Sequence, residues 1–194
     1  VRSHAAGVGD PLPEREVRAM MLLRANVLAT GYAGARAELV ESLLAMLNAG
    51  VWPYVPEQGS VGASGDLAPL AHLALTLIGE GRAHFNGRQD DSAVLLTEAR
   101  LMPVTLAAKE GLALINGTQA HTAIAALASA ELRRLWCAAH VATAMSLEAL
   151  LGTPDAFDPR IQNARGQIGQ KVSAGLLRAL LTDSAIRESH RTGD

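Results

Sequence analysis

The sequence predicts a mainly α protein, a bundle of long helices with a small β ribbon near residues 83–88. Three observations carry this. Apolar residues make up 49% of the 194 residues, yet aromatics are only 3%, and much of the apolar share is alanine and leucine. Those two residues favour helix, whereas strands draw on aromatic and β-branched side chains. Residues 118–151 hold neither glycine nor proline, a run of about 34 residues that would span roughly 50 Å as one helix. Such a helix outspans a small globule and suits a long bundle, one completed by other subunits. Asn86-Gly87 is the strongest hairpin signal in the chain and predicts the ribbon, on the surface.

The elements follow in order. Pro11 to Pro13 marks the start of a helix, with Asp10 as a candidate cap. Residues 14–30 read as helix, with Val17, Met20, Met21, Val27 and Leu28 apolar, and Gly31 and Gly34 break it. Residues 35–49 resume helical spacing through Leu39, Leu43 and Leu47, and Gly50 is the stop. Residues 51–60 form a proline-bearing connector. Residues 67–78 are helix, ended by Gly79 and Gly81. A short helix is expected over 92–99, and another over 103–117 ending in Asn116-Gly117. The long helix closes at Gly152 and Pro154, and 170–181 is the last helix. No internal repeat or low-complexity linker is present.

Composition narrows the function. A chain this long can bury a sizeable core as one domain. A net charge of −2 argues against nucleic acid as a main partner. No run is long and uncharged enough to cross a membrane, and no signal-peptide pattern is seen. The single cysteine, Cys137, excludes an internal disulfide framework and suits a reducing, cytoplasmic setting. Beside Trp136 it reads as a buried small hydrophobe. His72, His84, His121, His140 and His190 show no ligand spacing with cysteines or acids, so no metal is expected. Gly59, Gly62 and Gly65 do not make a phosphate loop, since no Lys-Ser/Thr follows. No Gly-x-Ser-x-Gly elbow occurs.

The chemistry concentrates in Gly59-Ser60-Val61-Gly62-Ala63-Ser64-Gly65-Asp66-Leu67-Ala68-Pro69-Leu70. The tripeptide Ala63-Ser64-Gly65 can cyclise. The Gly65 nitrogen attacks the Ala63 carbonyl carbon, Ser64 loses its hydroxyl, and two waters leave. The product is a 4-methylidene-imidazol-5-one ring, an electrophile made from backbone. Gly65 lacks a Cβ and reaches the torsions that closure needs. Ser64 carries the only β-hydroxyl of the three, and Ala63 is small. Asp66 suits the N-cap of the next helix, and Pro69 fits its first turn. The positive end of that helix would favour negative charge at the ring carbonyl. Ala-Ser-Gly alone is a common tripeptide and reads equally as an ordinary loop.

The whole segment resembles the signature of the aromatic amino-acid lyases, which use this ring as a prosthetic group. Ser3-His4-Ala5-Ala6-Gly7 is similar to the family's substrate-side histidine segment. Residues 109–119, Lys-Glu-Gly-Leu-Ala-Leu-Ile-Asn-Gly-Thr-Gln, resemble its second active-site strip. Phe157-Asp158-Pro159-Arg160-Ile161, Ala164-Arg165-Gly166-Gln167 and Ser189-His190 look like later segments. The matches come in family order and cover essentially the whole chain. The Ser-His-Ala-Ala-Gly and Asn-Gly-Thr-Gln strings are most similar to the histidine-specific members.

The resemblance implies a helical fold of the fumarase/aspartase-like superfamily and elimination of ammonia from L-histidine to give trans-urocanate. Ala63, Ser64 and Gly65 would form the ring, with no diffusible cofactor. His4 would contact the substrate imidazole, Asn116 the ring and substrate, and Gln119 the substrate. On the residues alone, His4 reads as an N-terminal histidine without a role. Asn116 reads as a helix C-cap or turn residue, Gln119 as a solvated first-turn residue, and Lys109-Glu110 as a helical surface pair. Gln162 departs from the family pattern, which leads one to expect histidine there. Val1-Arg2-Ser3-His4 also opens tyrosine-acting relatives. A tyrosine or phenylalanine ammonia-lyase or aminomutase using the same ring is therefore the alternative, and a non-catalytic helical assembly fragment is another.

The resemblance also implies that residues 1–194 are part of a single lyase domain truncated at both ends. The absent parts would be an upstream loop with a catalytic tyrosine, and downstream segments with another tyrosine, an arginine and further helices. The full-length protein would be a homotetramer whose sites draw on several subunits.

Overall fold

The structure, a computed structural model, describes residues 1–61 and 67–189. The ring tripeptide Ala63-Ser64-Gly65, the cap at Asp66 and His190 lie outside them. The chain divides into two compact units, residues 1–127 and 128–194. Both are mainly helical, as the composition predicts.

In the first unit, helix α1 (Glu14–Ala29) presents Val17, Met20, Met21, Arg24, Ala25 and Leu28 as one buried stripe. The spacing is that of a helix with one face on the core, and Val27 falls on the exposed side. Asp10 is not the cap. It lies in strand β1 (Val8–Pro11), and the Leu12 N–H beyond it donates to Val55 O at 2.8 Å. Helix α2 (Ala37–Ala49) buries Leu39, Leu43 and Met46 against α1 and stops at Gly50, which is left-handed at φ 79°.

The connector 51–60 is partly strand. β2 (Trp52–Pro53) and β3 (Pro56–Gln58) pair antiparallel with different partners, and β1 pairs with β3. Helix α3 (Leu67–Leu77) buries Leu70, Ala71, Leu73, Ala74 and Leu77 and forms the centre of the unit. β4 (Arg82–Phe85) and β5 (Arg88–Asp91) form the expected hairpin. Asn86 at φ 49° and Gly87 at φ 74° give the two-residue turn its left-handed backbone. The hairpin is not merely superficial, because Trp52↔His84 and Pro53↔Ala83 extend it to three strands and Ala83 is fully buried. Helix α4 (Ser92–Glu98) follows as expected.

The helix expected over 103–117 shrinks to α5 (Glu110–Ile115). Distant partners claim the backbone before it. The Val104 N–H donates to Leu77 O at 2.9 Å, and Thr105 O accepts from Arg36 Nη2 at 2.8 Å. Lys109 turns left-handed, φ 70°, to start the helix. Lys109-Glu110 is thus no surface pair, since Glu110 is fully buried.

Helix α6 (Gln119–Ala149) is the predicted long helix, about 46 Å by its rise per residue. Its stop uses Leu151, not Gly152, in the left-handed position at φ 54°, and Gly152 N–H returns to Leu147 O at 2.8 Å. In the second unit, α7 (Pro159–Arg165) starts with Asp158 as N-cap and Pro159 in its first turn, an Asp-Pro start signal. Helix α8 (Ile168–Leu180) packs on α7, and α9 (Ala185–Glu188) is short. The small core here joins Ala144, Leu177 and Leu181, with Leu147 and Phe157 against it. Cys137 is exposed, not buried, because that core covers α6 only further along. Among the described residues no helix is long and apolar enough to cross a membrane, and no cluster could hold a metal.

Candidate active site

His4 ends a short 3-10 turn, Arg2–His4, that Arg2 fastens to Glu80 through an ion pair. The His4 ring is exposed, with Nδ1 3.0 Å from Ser3 Oγ. Three residues on, the Gly7 N–H donates to His72 Nε2 on α3 at 3.1 Å. Burial lowers the His72 pKa, so the ring is neutral and its lone pair is free to accept. The packing at Gly7 leaves no room for a side chain. A Cβ there would sit 3.1 Å from His72 Nε2 and from Pro56 Cβ, and 3.2 Å from Gln58 O. Gly59 closes on the same point, where its own Cβ would lie 3.1 Å from Gly7 Cα and 3.3 Å from Ala68 Cβ.

The His4 segment is therefore fixed to both flanks of the tripeptide loop. Gly59 leads into that loop, and Ala68 and His72 lead out of it. His72 is the residue that the sequence reading missed. Its signal was the one ionisable side chain in the mostly apolar run Leu67–Leu77.

The Asn116 strip also lies against α3, since α5 packs on that helix. Asn116 is the C-cap of α5, exposed, and its N–H donates to Leu112 O at 3.0 Å. The turn reading of Asn116 holds, and it leaves the side chain open to solvent. Gln119 is not solvated. It is buried, and its Oε1 accepts from Arg24 Nη1 at 2.8 Å. Arg24 Nη2 also donates to Ala113 O and to Asn116 O, the latter at 3.1 Å. Asn116 lines a hollow of about 380 Å³ with Arg24, Tyr32, Lys109 and Leu112. Ser3, beside His4, lines another of about 710 Å³ with Arg2, Glu80 and Thr105. The two hollows share no lining residue among the described ones.

These strips and their order decide the family. A family model for aromatic amino acid lyases matches residues 1–194. The chain belongs to the aromatic amino acid lyase family. The histidine ammonia-lyase of Sorangium cellulosum is 58% identical over 190 residues, covering 98% of this chain and 37% of that protein. The crystal structure of histidine ammonia-lyase from Trypanosoma cruzi matches with a TM-score of 0.88 at 48% identity, over 97% of this chain and 37% of that one. Tyrosine aminomutase from Streptomyces globisporus matches with the same score at 40% identity, over 95% of this chain and 35% of that one. The chain thus spans little more than a third of the length of these relatives.

In the second unit, Gln162 takes the position where the family pattern leads one to expect histidine. It is buried, its Nε2 donates to Ala156 O at 2.6 Å, and its Oε1 accepts from Gln170 Nε2 at 2.7 Å. Both ends of its amide are engaged within the unit, which gives it a bracing role there.

Proposed function

We propose that this chain carries one part of the active site of an ammonia-lyase that converts L-histidine to trans-urocanate and ammonia. What carries the reading is the packing of the His4 segment onto both flanks of the tripeptide loop, through Gly7, Gly59 and His72. Likeness to histidine ammonia-lyases over nearly the whole chain supports it.

The residues present fit the ring. Ala63, Ser64 and Gly65 supply its atoms, and α3 begins at Leu67, just beyond them, with first-turn amides that have no partner within the helix. Glycine-tight packing at Gly7 and Gly59 limits how far the loop's flanks can move. Once formed, the 4-methylidene-imidazol-5-one supplies an electrophile that draws electron density from the substrate's amine side, and no diffusible cofactor is needed.

His4 receives the substrate imidazole, because a neutral histidine both donates and accepts. Asn116 offers its amide to the substrate end nearest the ring. Gln119 contributes through its amide N–H groups, its oxygen being held by Arg24. The β-proton goes to a tyrosine that the resemblance puts outside residues 1–194. The whole protein is read as a cytoplasmic homotetramer. Exposed Leu132, Leu135 and Met145 along α6 suit burial by neighbouring subunits.

The second reading, a tyrosine aminomutase or ammonia-lyase, has the 40% identical aminomutase in its favour. The whole protein should be given L-histidine and L-tyrosine separately. Urocanate from histidine, with little product from tyrosine, is the expected result. Product from tyrosine alone would replace the first reading with the second.

A further inference from the structure

Arg24 is a charge in an apolar stripe. Its neighbours on the buried face of α1 are Val17, Met20, Met21, Ala25 and Leu28, and Arg24 itself is only 2% exposed. Burying a charge is costly unless it is well partnered. Among the described residues no carboxylate pairs with it, and burial lowers its pKa. A methionine would suit such a stripe better if packing were all that mattered.

Both Nη atoms of Arg24 donate instead to one short stretch. Ala113 O, Asn116 O and Gln119 Oε1 all accept from it. Ala113 and Asn116 lie at the C-terminal end of α5, where a helix leaves its last carbonyls unpaired. Helix α5 has only six residues, too few to hold its own end. Gly117 fits the same arrangement, since a Cβ there would overlap both the Gln119 Oε1 and the Arg24 guanidinium. Gly117 has no left-handed backbone to explain it, so space is the reason for the glycine.

We propose that Arg24 is a positioning residue of the active site, its guanidinium fork holding the 113–119 turn in the one shape that presents the Asn116 side chain to substrate. The assignment rests on the active-site reading of Asn116 given above. It needs the fork, because only arginine offers several donors in a fixed plane to acceptors on either side of a turn.

The test uses the whole protein with Arg24→Met and Arg24→Lys. Two readouts are taken: amide hydrogen exchange over residues 112–120, with α2 as the internal control, and kcat and KM for L-histidine per folded molecule. For Arg24→Met, exchange over 112–120 should speed up by about tenfold or more while α2 is unchanged. Its kcat should fall by about a hundredfold with KM within about threefold, the pattern of a displaced catalytic group. Arg24→Lys should recover only part of both. Unchanged exchange over 112–120 in Arg24→Met would overturn the proposal. So would a loss spread equally over α2, or an Arg24→Lys protein equal to wild type. If wild type ignores histidine, the functional reading fails, and the exchange arm still decides whether Arg24 holds the turn.

Discussion

The buried carboxylate of Glu110 accepts three hydrogen bonds from Arg36, from its backbone N–H at 3.0 Å and from Nε and Nη2 at 2.8 Å each. A fourth comes from the Ala107 N–H at 2.7 Å. This one residue joins the start of α2, the irregular 103–109 segment and the start of α5. The Arg36 guanidinium, with the backbone donors, holds the Glu110 carboxyl at about 2, well below its ordinary 4.5. A depressed carboxyl contributes its full stability above the unfolded value and loses it as pH falls toward the folded one. Stability should therefore drop between pH 4.5 and about 2. Glu110→Gln should cost about 2 kcal/mol at neutral pH. It should also flatten that acid slope in urea titrations run across the range, and an unchanged slope would refute the assignment.

The Gly7 to His72 hydrogen bond predicts a second pH effect, nearer neutrality. Burial lowers the His72 pKa from its ordinary 6.5. The unfolded chain then binds the proton more readily than the folded one, so stability falls as pH drops below 6.5 toward the folded value. Replacing His72 with Phe should remove that part of the pH dependence. Gly7→Ala should cost about 1–3 kcal/mol by overpacking and raise KM for histidine by moving His4. Full activity and stability in Gly7→Ala would mean that the junction has slack.

The legible parts of this chain are those set by local spacing. Helices α1 and α2 follow from apolar periodicity, the long α6 from a run without glycine or proline, and the hairpin from Asn86-Gly87, whose backbone demands are local. The strands β1 and β3 were hidden because they are short, proline-bearing and paired across a long separation. The 103–109 segment read as helix because its residues allow helix, while its backbone partners, Leu77 and Arg36, are remote. In the candidate site, His4 and Asn116 were visible through motifs. Arg24 and His72 were visible only as polar residues breaking apolar stripes, a signal that does not name their partners.

The exposed ring of His4 makes specificity the next question. A histidine facing an imidazole can donate and accept, whereas a phenyl ring can do neither. His4→Phe should lower kcat/KM for L-histidine by about tenfold or more, the size of one lost polar contact, and raise it for L-phenylalanine. The comparison must be made on the whole protein with both amino acids. An unchanged ratio would remove His4 from the substrate pocket and leave its segment a packing role only.

Ring formation can be read without turnover. Cyclisation of Ala63-Ser64-Gly65 removes two waters, so a peptide containing these residues should be lighter than its sequence by that amount. Closure needs the Gly65 nitrogen to reach the Ala63 carbonyl, at torsions that a residue without a Cβ can adopt. The described packing nearest the tripeptide is on its flanks, at Gly59 against Gly7 and Ala68. Gly59→Val should disrupt that junction, and a smaller fraction of molecules should then carry the mass deficit. Chain synthesised and kept in urea should show no deficit, which should appear only after folding, whereas a ring already formed should survive later unfolding. A deficit undiminished in Gly59→Val would mean that cyclisation does not depend on this glycine contact.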